Sequence, residues 1–133
     1  MSAFKREHVR TRPWHEARAF SSAVKVAGGT TIYLAGMTPV DENRKLVGAG
    51  DFDRQVEQVF ENMRQVLESA GGTLADLVTM TVFITDIRLG DRFIELRKKL
   101  LGRDFPASAL IGVSQLAAPG FLIEIQAIAV VPS

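Results

Sequence analysis

The chain contains no cysteine. Disulfides, thiolate metal sites and a cysteine nucleophile are therefore excluded, and a reducing compartment fits. An excess of one charge is missing too: sixteen basic against fifteen acidic residues leave a net charge of +1. The basic residues are spread along the chain and the aromatics are scattered, so no nucleic-acid partner is expected. Long apolar runs are also absent. No segment approaches the ~20 apolar residues of a membrane span, and Met1–Arg6 carries charge with no apolar core behind it. A soluble cytoplasmic protein with no membrane partner is the expectation. What the chain does have is apolar content, 47% of 133 residues. That suffices for a single domain over residues 1–133, burying roughly two thirds of its unfolded surface.

The clearest periodicity lies between Phe52 and Ala70. There Phe52, Val56, Val59, Phe60, Met63, Val66, Leu67 and Ala70 step by three and four along one helical face. Asp51 is a fitting N-cap and Gly71-Gly72 a fitting stop. Charged residues such as Arg64 and Glu68 line one flank at ion-pair spacing. Gln55, Gln58, Asn62 and Gln65 line the other, and such uncharged amides suit hydrogen bonds to backbone or to another subunit. A second, weaker helix is expected from about Asp91 to Leu101, with Phe93, Leu96, Leu100 and Leu101 inward and Gly102 as the stop.

The β-prone stretches come on either side. Phe4–Arg12 alternates as an edge strand that Pro13 would end, and His8 and His15 in this region read as exposed side chains. Phe20–Val26 and Thr31–Ala35, joined across Gly28-Gly29, read as a hairpin. Met37–Gly50 is turn-rich and reads as a surface loop. Thr73–Asp76 resembles a capping box, and Leu77–Thr85 reads as a strand. The last third supplies two β-branched runs, Asp104–Val113 and Phe121–Val130, spaced like neighbouring strands and separated by Ala118-Pro119-Gly120. Glu124 lies inside the second, an oily run in which a carboxylate is expensive unless paired.

Two helices can cover only one face of a sheet of five or six strands. The last run is apolar on both faces, with Ile123, Ile125, Ala127 and Ala129 on one and Leu122, Ile128 and Val130 on the other. The uncovered face is too oily for water, which predicts a homo-oligomer with Glu124 and Gln126 at or beside the contact.

In order and spacing, several motifs resemble the RidA/YjgF family, also called L-PSP. They are Gly36 with Pro39, Gln55, Gln58 and Asn62, Ala70-Gly71 with Asp76, Thr81-Val82-Phe83 with Asp86, Phe105-Pro106-Ala107, and Ile123-Glu124-Ile125 with Ala127-Ile128-Ala129. The resemblance implies an α+β fold of the chorismate-mutase-like kind: a mixed sheet of about six strands with two helices on one face. It further implies a homotrimer whose sheets form a central barrel, with small-molecule sites between subunits. The implied activity is hydrolysis of a reactive enamine or imine to a keto compound and ammonia, with neither cofactor nor metal. In the family an arginine after Pro-Ala pairs with the substrate carboxylate, and a glutamate on the last strand helps position water. The glutamate matches Glu124, whereas the arginine position holds Ser108. Phe20 stands where a tyrosine is frequent, and Met37 where a glutamine commonly follows the glycine.

Glu124 and Ser108 are thus the candidate catalytic residues, Ser108 also suiting a ligand hydrogen-bond donor. Phe20, Gly36, Met37, Ala107 and Leu110 are the candidate substrate-binding residues. A substrate other than 2-aminoacrylate is expected, and Arg12, Arg18 or an arginine of an adjacent subunit stand open as replacements for the missing anchor. A trimeric ligand-binding protein without catalysis is the alternative, and an endoribonuclease or translation inhibitor the third reading.

Overall fold

The structure, a computed structural model, describes residues 3–133. It is α+β, with six strands and three helices: β1 (Lys5–Val9), α1 (Pro13–Ala17), β2 (Ala23–Ala27), β3 (Thr30–Met37), α2 (Phe52–Ser69), β4 (Leu77–Ile84), α3 (Gly90–Leu101), β5 (Ala107–Gly112) and β6 (Ile123–Val131). Four strands form one mixed sheet in the order β3-β6-β4-β5, antiparallel except for the β4–β5 pair, and β1 and β2 form a separate antiparallel ribbon.

Two pairings differ from the sequence reading. The β2 strand pairs with β1 rather than β3: Gly28 and Gly29, both at positive φ, turn the chain out of the ribbon into the main sheet. Likewise β5 and β6 are not neighbours, because β4 lies between them. Pro13 also begins a helix instead of merely ending a strand. It occupies the first helical turn, where a missing N–H costs nothing.

The α2 helix forms as its spacing predicts. Asp51 caps it by accepting from the Arg54 N–H at 3.1 Å, and Gly71, at φ 88°, follows its end. Its apolar stripe and that of α3 bury Val56, Val59, Phe60, Met63, Leu67 and Phe93 against one face of the sheet. From that face Met80, Val82 and Ile84 of β4 and Ile123, Ile125, Ala127 and Ala129 of β6 project upward, each at most 2% exposed. The amide flank serves the backbone. Gln55 reaches the carbonyls of Gly48 and Gly120 and accepts from the Leu122 N–H, while Asn62 donates to the carbonyls of Thr38 and Val40. These bonds fasten the Thr38–Gly50 loop and the approach to β6 onto α2.

Among the described residues no helix packs on the opposite face. Tyr33, Ile128, Thr79 and Ala107 form one row across it, Gln126, Thr81 and Ala109 a second, and Glu124, Phe83 and Ile111 a third. Tyr33 is 78% exposed and Ile111 41%.

Candidate functional site

Glu124 is half-buried on the open face of β6. Its strand is hydrogen-bonded on both sides, to β3 and β4, so the backbone beneath the carboxylate is fixed. Among the described residues no cation lies within ion-pair distance of it and no side-chain hydrogen bond reaches it. The register between β3 and β6 shifts after Leu34, and this irregularity brings Gly36 beside the carboxylate. A Cβ at position 36 would collide with Glu124 Oε2, so glycine there lets the carboxylate lie against the strand in its present position. Met37 follows, partly buried against the core, and together with Gly36 it edges a cleft of about 490 Å³ whose other walls include Thr38, Gln58 and Asn62.

The remaining candidates lie at the opposite edge of the sheet. Ala107 opens β5, and Ser21 pairs with it in a short parallel bridge, donating its N–H to the Pro106 carbonyl and its hydroxyl to the Phe105 carbonyl. Phe20 is thereby held next to the start of β5, its ring 4.7 Å from that of His15 and 6.1 Å from that of Trp14. His15 is not free: its Nδ1 is 2.8 Å from the Ser22 hydroxyl. His8 is half-buried as well, with Nε2 lacking any partner, because the ribbon lies against the segment around Asp104.

Ser108 and Leu110 pair with Met80 and Val82 and therefore face the helices, the side away from Glu124. Leu110 packs against the core and touches Gly90. The Ser108 hydroxyl accepts a hydrogen bond from Arg97. Two strand spacings and three residues along β5 separate Ser108 from Glu124 by roughly 14 Å of backbone. Within one subunit Glu124 and Gly36 come together, while Met37, paired with Ile125, faces the helix side; Phe20 and Ala107 come together near Ser108, and the two groups do not meet.

Arg97 was not among the residues singled out from the sequence. It is 1% exposed and touches only neutral partners: Nη1 donates to Ser108, Nη2 donates to the Arg18 carbonyl at 3.1 Å, and the guanidinium sits 5.0 Å from the centre of the Phe93 ring. Its Nε–H has no acceptor. Burial first, and then the charge of Arg18, push it down to about 10, which leaves it cationic at neutral pH. The signal was present in the spacing, since Arg97 lies four residues after Phe93 and hence on the apolar stripe of α3. No cluster of three or more acidic or histidine side chains placed to hold a metal occurs among the described residues, and no helix is long and apolar enough to cross a membrane.

Comparison with known proteins agrees with this architecture. The family model described as Endoribonuclease L-PSP matches residues 10–131. A RutC family protein of Pyrococcus abyssi is 36% identical over 110 residues, covering 83% of this chain and 84% of the relative. A 2-iminobutanoate/2-iminopropanoate deaminase of Dermatophagoides farinae is 29% identical over 112 residues, covering 84% of this chain and 85% of the relative. Among solved structures, YyfB of the conserved Rid protein family from Yersinia pestis superposes with a TM-score of 0.86 at 33% identity, over 95% of this chain and 98% of that one. With a match across nearly its whole length and the same fold, the chain belongs to the YjgF/RidA family, the L-PSP family of the matching model.

Proposed function

We propose that the protein hydrolyses a small enamine or imine to the corresponding keto compound and ammonia, at a site formed between copies of the chain with Glu124 as acid/base. One observation carries this reading. Glu124 is a half-buried, unpartnered carboxylate on a fixed strand, with a glycine kept clear in front of it. The deaminase name of the Dermatophagoides relative supports the reaction class. The step balances without a further reactant. Water adds to the imine carbon as the carboxylate takes one of its protons and passes it to nitrogen, and the carboxylate then carries the remaining hydroxyl proton to the same nitrogen. The C–N bond breaks to release ammonia, leaving a carbonyl. One carboxylate and fixed backbone groups suffice because the electrophile is already activated.

The intersubunit placement rests on the split between the two residue groups. Gly36, Met37 and Glu124 lie at the β3–β6 edge, and Phe20 and Ala107 at the β5 edge, so a site using both needs the β5 edge of a second copy beside the β3 edge of the first. The uncovered face, with Tyr33, Ile128, Phe83 and Ile111, supplies apolar area for such an assembly, and three copies is the number the family resemblance suggests. The decisive experiment measures ammonia release from 2-iminobutanoate generated in situ, for wild type and Glu124→Gln, alongside sedimentation at micromolar concentration. The expected results are at least a hundredfold lower kcat in the variant and an assembled wild type. Equal turnover removes Glu124 from the chemistry, and a folded single chain removes the intersubunit site.

A further inference from the structure

We propose that Trp14 on α1 is a specificity-determining residue beside the β5 edge, and that it selects an imine whose carbon bears a flat, apolar and uncharged group such as an aryl ring. This deepens the hydrolase reading and rests on it for the identity of the site. Its own content is the recognition of a flat apolar molecule by the indole.

Trp14 is the single tryptophan of the chain and is 55% exposed. A covered indole removes more apolar surface from water than most side chains can, and this one is left open. It is nevertheless well placed. The His15 ring lies edge-on to it, with centres 4.1 Å apart and planes at 84°, and the Phe20 ring stands 6.1 Å away at 74°. Phe20 and His15 are closer to parallel, at 31° with centres 4.7 Å apart. The three rings therefore make a corner. A flat molecule stacked on the indole would meet a second ring edge to face, and both are favoured aromatic arrangements. The corner is fixed from behind: His15 Nδ1 is 2.8 Å from the Ser22 hydroxyl, whose oxygen accepts the Thr11 N–H at 3.0 Å, and Phe20 donates its N–H to the His15 carbonyl at 3.1 Å. Rings held in this way bind a ligand with little ordering cost.

Charge argues for an uncharged group on this side. Arg10 is paired with Glu16 and Asp104, and Arg18 with Asp91. Arg97 is enclosed, its guanidinium turned to Ser108 and the Arg18 carbonyl. Among the described residues no arginine or lysine lies over the indole. Size argues for a small molecule rather than a protein surface. Arg12, Glu16 and Arg18 flank the indole along α1, so the apolar area ends at the edges of the corner. A subunit contact needs a far wider patch, whereas one ring-sized ligand covers this one. Phe20 leads directly into the Ser21 bridge to Ala107. The corner thus stands beside the start of β5, where the proposed site receives the Glu124 edge of another copy.

The test titrates acetophenone, cyclohexyl methyl ketone and phenylglyoxylate into wild type, Trp14→Ala and Trp14→Phe by calorimetry, and follows the emission of the lone tryptophan in wild type. The two ketones are apolar and similar in size, but only acetophenone is flat; phenylglyoxylate adds a carboxylate. The expected result is that acetophenone binds tightest, changes the emission to saturation, and loses about tenfold in affinity in Trp14→Ala, the order of a stacking contact with its buried area. Cyclohexyl methyl ketone should lose little. Trp14→Phe keeps a ring and should fall between wild type and Trp14→Ala. Both variants should melt close to wild type, because no residue of α1 is buried. Unchanged acetophenone affinity in Trp14→Ala, equal losses for the two ketones, tighter binding of phenylglyoxylate than of acetophenone, emission insensitive to saturating acetophenone, or no measurable binding to wild type each overturn the assignment. Acetophenone binding at Trp14 with no ammonia release from 1-phenylethanimine or 2-iminobutanoate would overturn the hydrolase reading and leave Trp14 in place. Turnover of 1-phenylethanimine with unchanged KM in Trp14→Ala would do the reverse.

Discussion

Replacing Gln55 by alanine tests how the site's loops are held. Gln55 is fully buried and its amide makes three hydrogen bonds: to the Gly48 carbonyl at 3.0 Å, to the Gly120 carbonyl at 2.9 Å, and from the Leu122 N–H at 2.8 Å. The two bonds to carbonyls contribute about 1 kcal/mol net each, and the Leu122 N–H left without an acceptor adds about 1–3 kcal/mol. The expected loss is about 3–5 kcal/mol, since the two carbonyls can turn to water more easily than Leu122, which enters β6. For a domain of this size each kcal/mol moves the midpoint by roughly 3–4 °C, so Gln55→Ala should melt about 10–18 °C below wild type. Circular dichroism at one fixed protein concentration is the assay, because the assembly proposed above would make the midpoint concentration-dependent. Gln65→Ala is the control: Gln65 is exposed and bonds only Glu61, so it should move the midpoint by less than about 2 °C. A drop under about 3 °C in Gln55→Ala would mean that the loops stay in place without the amide, and the structural account of this flank would be wrong.

Glu124→Gln should keep the melting temperature within a few degrees while abolishing most imine turnover, because the carboxylate has no partner to lose. Gly36→Ala should lower kcat at least tenfold without preventing folding: the new methyl displaces the flexible end of Glu124 rather than backbone, and small misplacements of a reacting group are costly. His8 gives a pH prediction. Burial, partly offset by Asp104, holds its imidazole below its ordinary 6.5, so the unfolded chain binds the proton first and stability falls as pH drops through 6.5. Melting temperatures at pH 7.5 and 5.5 should fall less in His8→Gln than in wild type, and equal falls would place the acid sensitivity elsewhere.

The helices were legible because their signals are local. The stripe of α2 repeats over five turns, and its cap and stop are adjacent in sequence, so Asp51 and Gly71 mark its ends without reference to the rest of the fold. Strand partners were less legible. Two β-prone runs across Gly28-Gly29 look like a hairpin, but β3 finds a longer apolar partner in β6 and leaves β2 to β1, a choice made by residues a hundred positions away. For the same reason β4 could not be seen to lie between β5 and β6. Of the site, Glu124 was conspicuous as a carboxylate in an oily run, while Ser108 and Leu110 were assigned without knowing which side of β5 faces the helices. Arg97 was passed over because charge in a helix usually means solvent, although its register with Phe93 said otherwise.

A site shared between copies, as proposed above, also limits how they can meet. A two-fold axis joining sheet edges would bring like to like, either β5 against β5 or the two Glu124 edges together, where unpaired carboxylates repel. A head-to-tail contact, with the β5 edge of one copy against the β3 edge of the next, would bring the Phe20 and Ala107 group beside the Gly36 and Glu124 group. Such a contact is heterologous and stays finite only if it closes into a ring. Closure with the open faces inward would shield Ile128, Phe83 and Ile111 at the same time, so one geometry would complete the site and cover the sheet.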